Sequence, residues 1–227
     1  MACLRALVRI KVTVRVESFA WSNAVSDGFR RTPRLLSLYE QYLDSQDTLA
    51  FVGKVSQSYT QGTLQRLAES SEDCRVRRAA VLALGFLGDY EANGTMGRAL
   101  QDSDRTVRLL AENGIRNVWL RIGSESQRQQ LALLVRLNAA QRYDEAIKRA
   151  SELIRQAPWL AEAWNQRAIA EFALGRHEDA ARDCHQTLEI NPYHFAAAAG
   201  LGQAYLHLNS PLPVSYTHLT LPTIYSV

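Results

Sequence analysis

YDEAIKRASELIRQAPW (Tyr143 to Trp159) lies over HEDAARDCHQTLEINPY (His177 to Tyr193) when the chain is slid against itself by 34 residues. Ala146 then falls on Ala180, Pro158 on Pro192 and Trp159 on Tyr193. A fixed period of this length marks stacked supersecondary units, each of which covers the apolar face of the next. The matched residues explain the period physically. A small side chain at Ala146 and Ala180 lets two helices cross closely, where a larger one would push them apart. Pro158 and Pro192 carry no amide hydrogen and end the helix before them.

Working upstream, DCRVRRAAVLALGFLG (Asp73 to Gly88) overlays DRTVRLLAENGIRNVW (Asp104 to Trp119) with a shift of 31. Val76 matches Val107, Arg77 matches Arg108, Ala80 matches Ala111, Leu84 matches Ile115 and Leu87 matches Val118. That is an apolar stripe at helical spacing. Asp73 and Asp104 suit the N-cap position, where a carboxylate accepts hydrogen bonds from orphan amides. Partner helices are expected at about Thr60 to Glu69 and Tyr90 to Leu100, with more helix in Arg34 to Leu43 and Thr48 to Ser58.

The 34-residue period, over about residues 127 to 208, resembles the tetratricopeptide (TPR) repeat family, with its aromatic, small and proline positions in that order. The resemblance puts Trp164 in the aromatic slot of the second repeat and Gly175 in its inter-helix turn. A third repeat starts at Phe195, with Leu201, Gly202 and Tyr205 in the family's Leu-Gly-x-x-Tyr register. Leu133 with Leu134, and Arg167 with Ala168, depart from that register. Cys184 takes a place where the family buries an aromatic ring, which implies a small core residue. The 31-residue period resembles short HEAT repeats, and this implies a ladder in which Arg77 and Arg108 reach an Asp of the adjacent repeat.

TPR solenoids line a groove with the first helix of each pair, and an extended or helical peptide lies in it. The resemblance gives Arg128, Leu131, Val135 and Asn138 as groove residues of the first repeat. It gives Glu162, Asn165, Ile169 and Phe172 of the second, and Gln203, Leu206 and His207 of the third. One TPR subclass grips a C-terminal carboxylate with Lys and Asn, but Leu131 and Val135 stand at those positions, so that clamp is absent.

Composition narrows the function classes. The 26 basic and 23 acidic residues give a net charge of +3, far from the concentrated positive field that displaces counterions from nucleic acid. Arg30, Arg31 and Arg34, with Arg75, Arg77 and Arg78, read as solvated surface and repeat ladder. Cys3, Cys74 and Cys184 are far apart and show neither metal-ligand nor redox spacing, which fits a reducing compartment. His177, His185, His194 and His207 lack the i, i+4 spacing of a zinc site, so no metal is expected. Cys184 and His185 are neighbours on a helix and point about 100° apart, which is unsuited to a shared proton. Gly85 to Asp89 lacks the Lys and Ser/Thr of a phosphate loop and reads as a helix stop. Asn93-Gly94-Thr95 is a glycosylation sequon only in a secreted chain.

LVRIKVTVRV (Leu7 to Val16) alternates apolar and basic residues and lacks the continuous apolar core of a signal peptide or membrane span. Val214 to Thr223 resembles a translated sequencing adapter, which would cut the third repeat after one helix and leave Leu201, Tyr205 and Leu208 without cover.

The resulting expectation is an all-α chain, an α-solenoid of antiparallel helix hairpins, HEAT-like and then TPR. Its parts are a disordered or peripheral N-terminal segment (1–33), HEAT-like repeats (34–122), TPR repeats with the third truncated (123–210) and a non-native tail (211–227). The expected role is a cytoplasmic, non-catalytic scaffold for a protein or peptide partner. Nucleic acid, membrane, cofactor and small-molecule substrate are not expected. Arg128, Asn138, Glu162, Asn165, Ile169, Phe172, Gln203 and His207 are the expected partner contacts. The alternatives are a docking arm of a larger enzyme, or a HEAT-like lyase or nucleic-acid-binding solenoid.

Overall fold

The structure, a computed structural model, describes residues 34–208, so the readings of residues 1–33 and of the adapter-like tail lie outside the described residues. Within 34–208 there are eleven α-helices and no strand. They are α1 (Arg34–Ser45), α2 (Thr48–Ser58), α3 (Gln61–Ser70), α4 (Cys74–Leu87), α5 (Asn93–Ala99), α6 (Arg105–Leu120), α7 (Glu125–Ala139), α8 (Tyr143–Gln156), α9 (Ala161–Ala173), α10 (His177–Ile190) and α11 (Phe195–His207). A 3-10 turn at Tyr90–Ala92 leads into α5. Successive helices pack as antiparallel hairpins and each hairpin packs on the next, which makes these residues an α-solenoid.

Local chemistry sets the helix starts. Asp73 accepts from the Arg75 amide at 2.8 Å and Asp104 from the Val107 amide at 2.9 Å, so both are N-caps. Ser124 and Gln127 form a reciprocal capping box at the start of α7.

Both periods are written in hydrogen bonds as well as in side chains. At the 31-residue offset, Arg77 Nη1 donates to the Ser71 and Glu72 carbonyls, and Arg108 Nη1 donates to the matching Asp102 and Ser103 carbonyls. At the 34-residue offset, the amides of Gln141 and Arg142 reach the Asn138 and Leu137 carbonyls at 3.0 and 2.9 Å. Gly175 and Arg176 repeat the pattern on Phe172 and Glu171 at the same two distances. Gly175 has φ +76°, and Gln141, its equivalent, is held at φ +59°. Ala146 and Ala180 are both buried at the expected helix crossings.

The ladder between HEAT-like units differs from the expected one by a single residue. Arg77 pairs with Asp102 at 2.8 Å, and Arg78 pairs with Asp104 at 2.5 Å. Arg108 is committed to backbone carbonyls, since its guanidinium points back into its own turn. The α4 and α6 backbones also approach closely, and a Cβ on Gly85 would come within 2.9 Å of Gly114 Cα.

One contact set breaks the rule that a solenoid repeat touches only its neighbours. Asn93 Nδ2 donates to Asn191 Oδ1 at 2.9 Å across 98 residues, and Trp119 Nε1 donates to Asn93 Oδ1 at 2.8 Å. The Trp119 indole stacks on the His194 imidazole with centroids 4.0 Å apart, and Tyr193 lies against Gly97, where a Cβ would collide with its ring. The turn between α10 and α11 therefore rests on α5 and α6.

Leu201 departs from the expectation of exposure. It is buried with Ala168, Ala181, Cys184 and Leu188, because α11 docks onto α9 and α10 through its own apolar side.

Gly114→Val should destabilise the protein by about 1–3 kcal/mol through overpacking at the α4–α6 crossing. Gln141→Gly should stabilise it by about 0.5–1 kcal/mol, because a left-handed φ is strained for a residue with a Cβ. Urea unfolding of both variants beside the parent chain checks the two signs.

Candidate interaction face

The helices expected to line the groove are neighbours in space, with α7 packed on α9 and α9 on α11. The structure divides the eight expected contact residues into two groups. Glu162 and Asn165, in the N-terminal half of α9, are buried. Asn138 is half-buried and donates to the Gln166 carbonyl and side chain at 2.9 and 2.8 Å. Arg128 is half-buried, bound to the Gly123 carbonyl at 2.7 Å and paired with Glu125. Those four side chains are engaged within the protein.

The second group faces outward at the C-terminal ends of the same helices. Ile169 is 43% exposed, and Val135, its equivalent 34 residues earlier, is 38% exposed. Gln203 and His207 are exposed, and Phe172 is half-buried with its edge toward the His177 and His207 rings. Leu206 is exposed too, whereas Leu131 is fully buried in the core. These exposed and half-buried uncharged side chains are carried by three neighbouring helices.

Glu162 anchors the buried half. Its Oε2 lies 2.9 Å from His194 Nε2, and its Oε1 accepts from Gln166 at 2.7 Å and from Asn165 at 3.2 Å. Burial alone would push this carboxyl up, but the hydrogen bond and charge of His194, aided by Gln166 and Asn165, outweigh it and hold it below the usual range.

A second polar cluster lies at the α9–α10 crossing. Arg167 forks onto Asp183 at 2.6 and 2.8 Å and also reaches Ser151 Oγ at 3.0 Å. Glu171 sits 3.8 Å from the same guanidinium, and its Oε2 is buried without a hydrogen-bond partner. Burial first, then the Asp183 charge, push Glu171 up to about 7 against the partial relief given by Arg167. Cys184 next to Asp183 is buried, as expected of a small core residue, and its thiol is pushed up to about 12 mainly by burial.

Sequence reading missed His194, Asn191, Glu171 and Asp183 as structural polar residues. A signal was present, because their equivalents in the preceding repeat are Leu160, Ala157, Leu137 and Arg149. Three apolar core positions turning polar in one repeat mark a compensating network.

Among the described residues no cluster of three or more His, Cys, Asp and Glu is arranged to hold a metal ion. No helix among them is long and apolar enough to cross a membrane.

A carboxyl raised to about 7 when folded binds its proton more tightly than the unfolded chain does, so its stabilising effect is full below about pH 4.5 and is lost as pH rises toward 7. Glu171→Gln should therefore be more stable than the parent at about pH 8 by about 1–3 kcal/mol, with the gap closing near pH 5. Thermal unfolding at the two pH values reads this difference directly.

Residues 60–154 match the model of HEAT repeats, and residues 161–194 match the tetratricopeptide repeat. The HEAT match runs through α7 and α8, which also carry the first copy of the 34-residue period. A TPR repeat-containing protein of Rhizobium etli is 30% identical over 89 residues, which is 39% of this chain and 44% of that protein. The match thus spans under half the length of that relative. No solved structure matches the chain. The period, the duplicated hydrogen bonds and these matches agree that the chain carries HEAT repeats followed by tetratricopeptide repeat sequence.

Proposed function

We propose that the protein is a non-catalytic interaction scaffold that binds a protein or peptide along the exposed strip of α7, α9 and α11. HEAT and TPR repeats generally mediate protein–protein interaction, and the geometry supports one part of the groove over the other. The observation that carries the reading is the pair Val135 and Ile169, which are exposed apolar residues at equivalent positions of adjacent helices. Exposed apolar groups at equivalent positions of two adjacent helices suit a binding wall, and polar Gln203 takes that position in α11. Phe172, Leu206, Gln203 and His207 extend the strip, and Arg128 and Asn138 border it. Glu162 and Asn165 act on the partner only by holding α9 in place. The scaffold reading includes a cytoplasmic location and the division into HEAT-like (34–122) and TPR (123–210) parts.

Affinity capture with the intact chain, beside a Val135→Asp/Ile169→Asp variant of matched helical content, tests this reading. Loss of the captured partners by at least about tenfold is expected, since the variant removes two apolar contacts and places two carboxylates that binding would have to desolvate. Undiminished capture by the double variant would remove the strip from the binding surface.

A further inference from the structure

Helix α6 has two working sides. Ala111, Ile115 and Val118 pack into the core of the HEAT-like units, and Gly114 meets Gly85 of α4. About 100° around the helix, Arg116, Trp119 and Leu120 form a second row at i, i+3 and i+4. That is the spacing with which a helix lays its anchors in a groove. Glu112, 3.8 Å from the Arg116 guanidinium, extends the row by one turn.

This second row meets the tetratricopeptide repeats. The Arg116 guanidinium carbon lies 4.6 Å from the centre of the Phe195 ring. The Trp119 indole stacks on His194 at 4.0 Å and meets the Phe195 ring at 5.3 Å. Leu120, with Ile122 just beyond the helix, packs on the cluster that holds Leu131.

The residues covered in this way belong to the groove series of all three first helices. Leu131 of α7 is fully buried, and Ala196 of α11, the equivalent of Arg128 and Glu162, packs on the cluster that contains Val118 and Trp119. Between them, Glu162 and Asn165 of α9 are 7% and 5% exposed, and the His194 ring that bonds Glu162 is the ring on which Trp119 stacks. Further along the same helices Val135, Ile169, Gln203 and Leu206 are exposed. The groove is therefore closed over its amino-terminal half and open over its carboxyl-terminal half, and α6 supplies part of the cover.

We infer that α6 is an in-chain ligand of this groove: Arg116, Trp119 and Leu120 fill its amino-terminal half, and a partner helix carrying a cation, an aromatic ring and an aliphatic group at the same spacing binds there only when α6 is withdrawn. Such an occupant lowers the apparent affinity of any competitor by the fraction of chains that are closed, so weakening its contacts raises that affinity in proportion. The groove itself rests on the interaction reading above. The claim concerns the half that Val135 and Ile169 do not line, so the two readings can fail separately.

A labelled peptide of residues 104–122, in which Asp104 supplies the N-cap, is the probe, and fluorescence anisotropy with the intact chain reads its binding. A Trp119→Ala/Leu120→Ala chain should bind it at least about tenfold more tightly than the parent, because two large apolar anchors of the resident helix are gone. A peptide bearing the same two substitutions should show no such gain. Bound peptide should also restore amide protection in residues 161–166 and 195–199 that the variant loses, a readout that a Trp119 serving the HEAT-like core alone would not move. Equal binding to both chains, or a gain retained by the substituted peptide, would overturn the proposal. Should the double variant fail to fold, Arg116→Ala, at a half-exposed side chain, decides: a gain of about 2–5-fold is expected, and no gain counts against the in-chain ligand.

Discussion

The stack of Trp119 on His194 is the contact through which the rest of this fold is tied together. It places an indole from α6 on an imidazole that caps α11 and bonds to Glu162 of α9, so three helices from distant parts of the sequence meet at one ring. An array held only by neighbouring repeats has the stability of a sum of local terms and can open at any joint. Bonds such as Asn93 to Asn191 change that, because opening a joint between α6 and α10 also strips a buried polar network of its partners. Breaking one member of such a network costs more than the pair contributes, since the remaining groups stay buried and unpaired.

The repeat architecture was legible because both periods arise from local chemistry. Helix caps at Asp73 and Asp104, the proline stops after α8 and α10, and the small residues at Ala146 and Ala180 each act within a few residues of where they stand. The predicted helices correspondingly fall within a few residues of α1 to α6. The long-range closure was not legible, since nothing local to Asn93 specifies a partner 98 residues away. Glu162 is internal for that reason, since the ring of His194 fills the space over it, whereas Arg128 is held by its own turn and Asn138 by Gln166 of the neighbouring helix. What the pattern could have revealed was Leu160 becoming His194 and Leu137 becoming Glu171 between equivalent repeats.

The arginines show how little of a formal charge need be available to partners. Arg77, Arg78 and Arg167 each fork onto an Asp, and Arg108 and Arg121 donate to carbonyls at the turns of α6 and α4. Arg121 reaches the Gly85 and Gly88 carbonyls at the end of α4, a helix terminus where a cation meets the negative end of the dipole. Arg77 and Arg78 join one HEAT-like unit to the next and Arg167 joins α9 to α10, each balanced by its Asp, while Arg108 and Arg121 tie down backbone carbonyls.

Cys184 lies beneath α11, with its sulfur 3.3 Å from the position a side chain on Gly200 would take. The absence of a side chain there lets the two helices close over the thiol, and closure is what keeps it protonated and out of reach of solvent. Its reactivity is thereby slaved to the lid above it. A thiol reagent would reach Cys184 only where that helix has lifted away, whereas Cys74 is half-exposed with the helix in place.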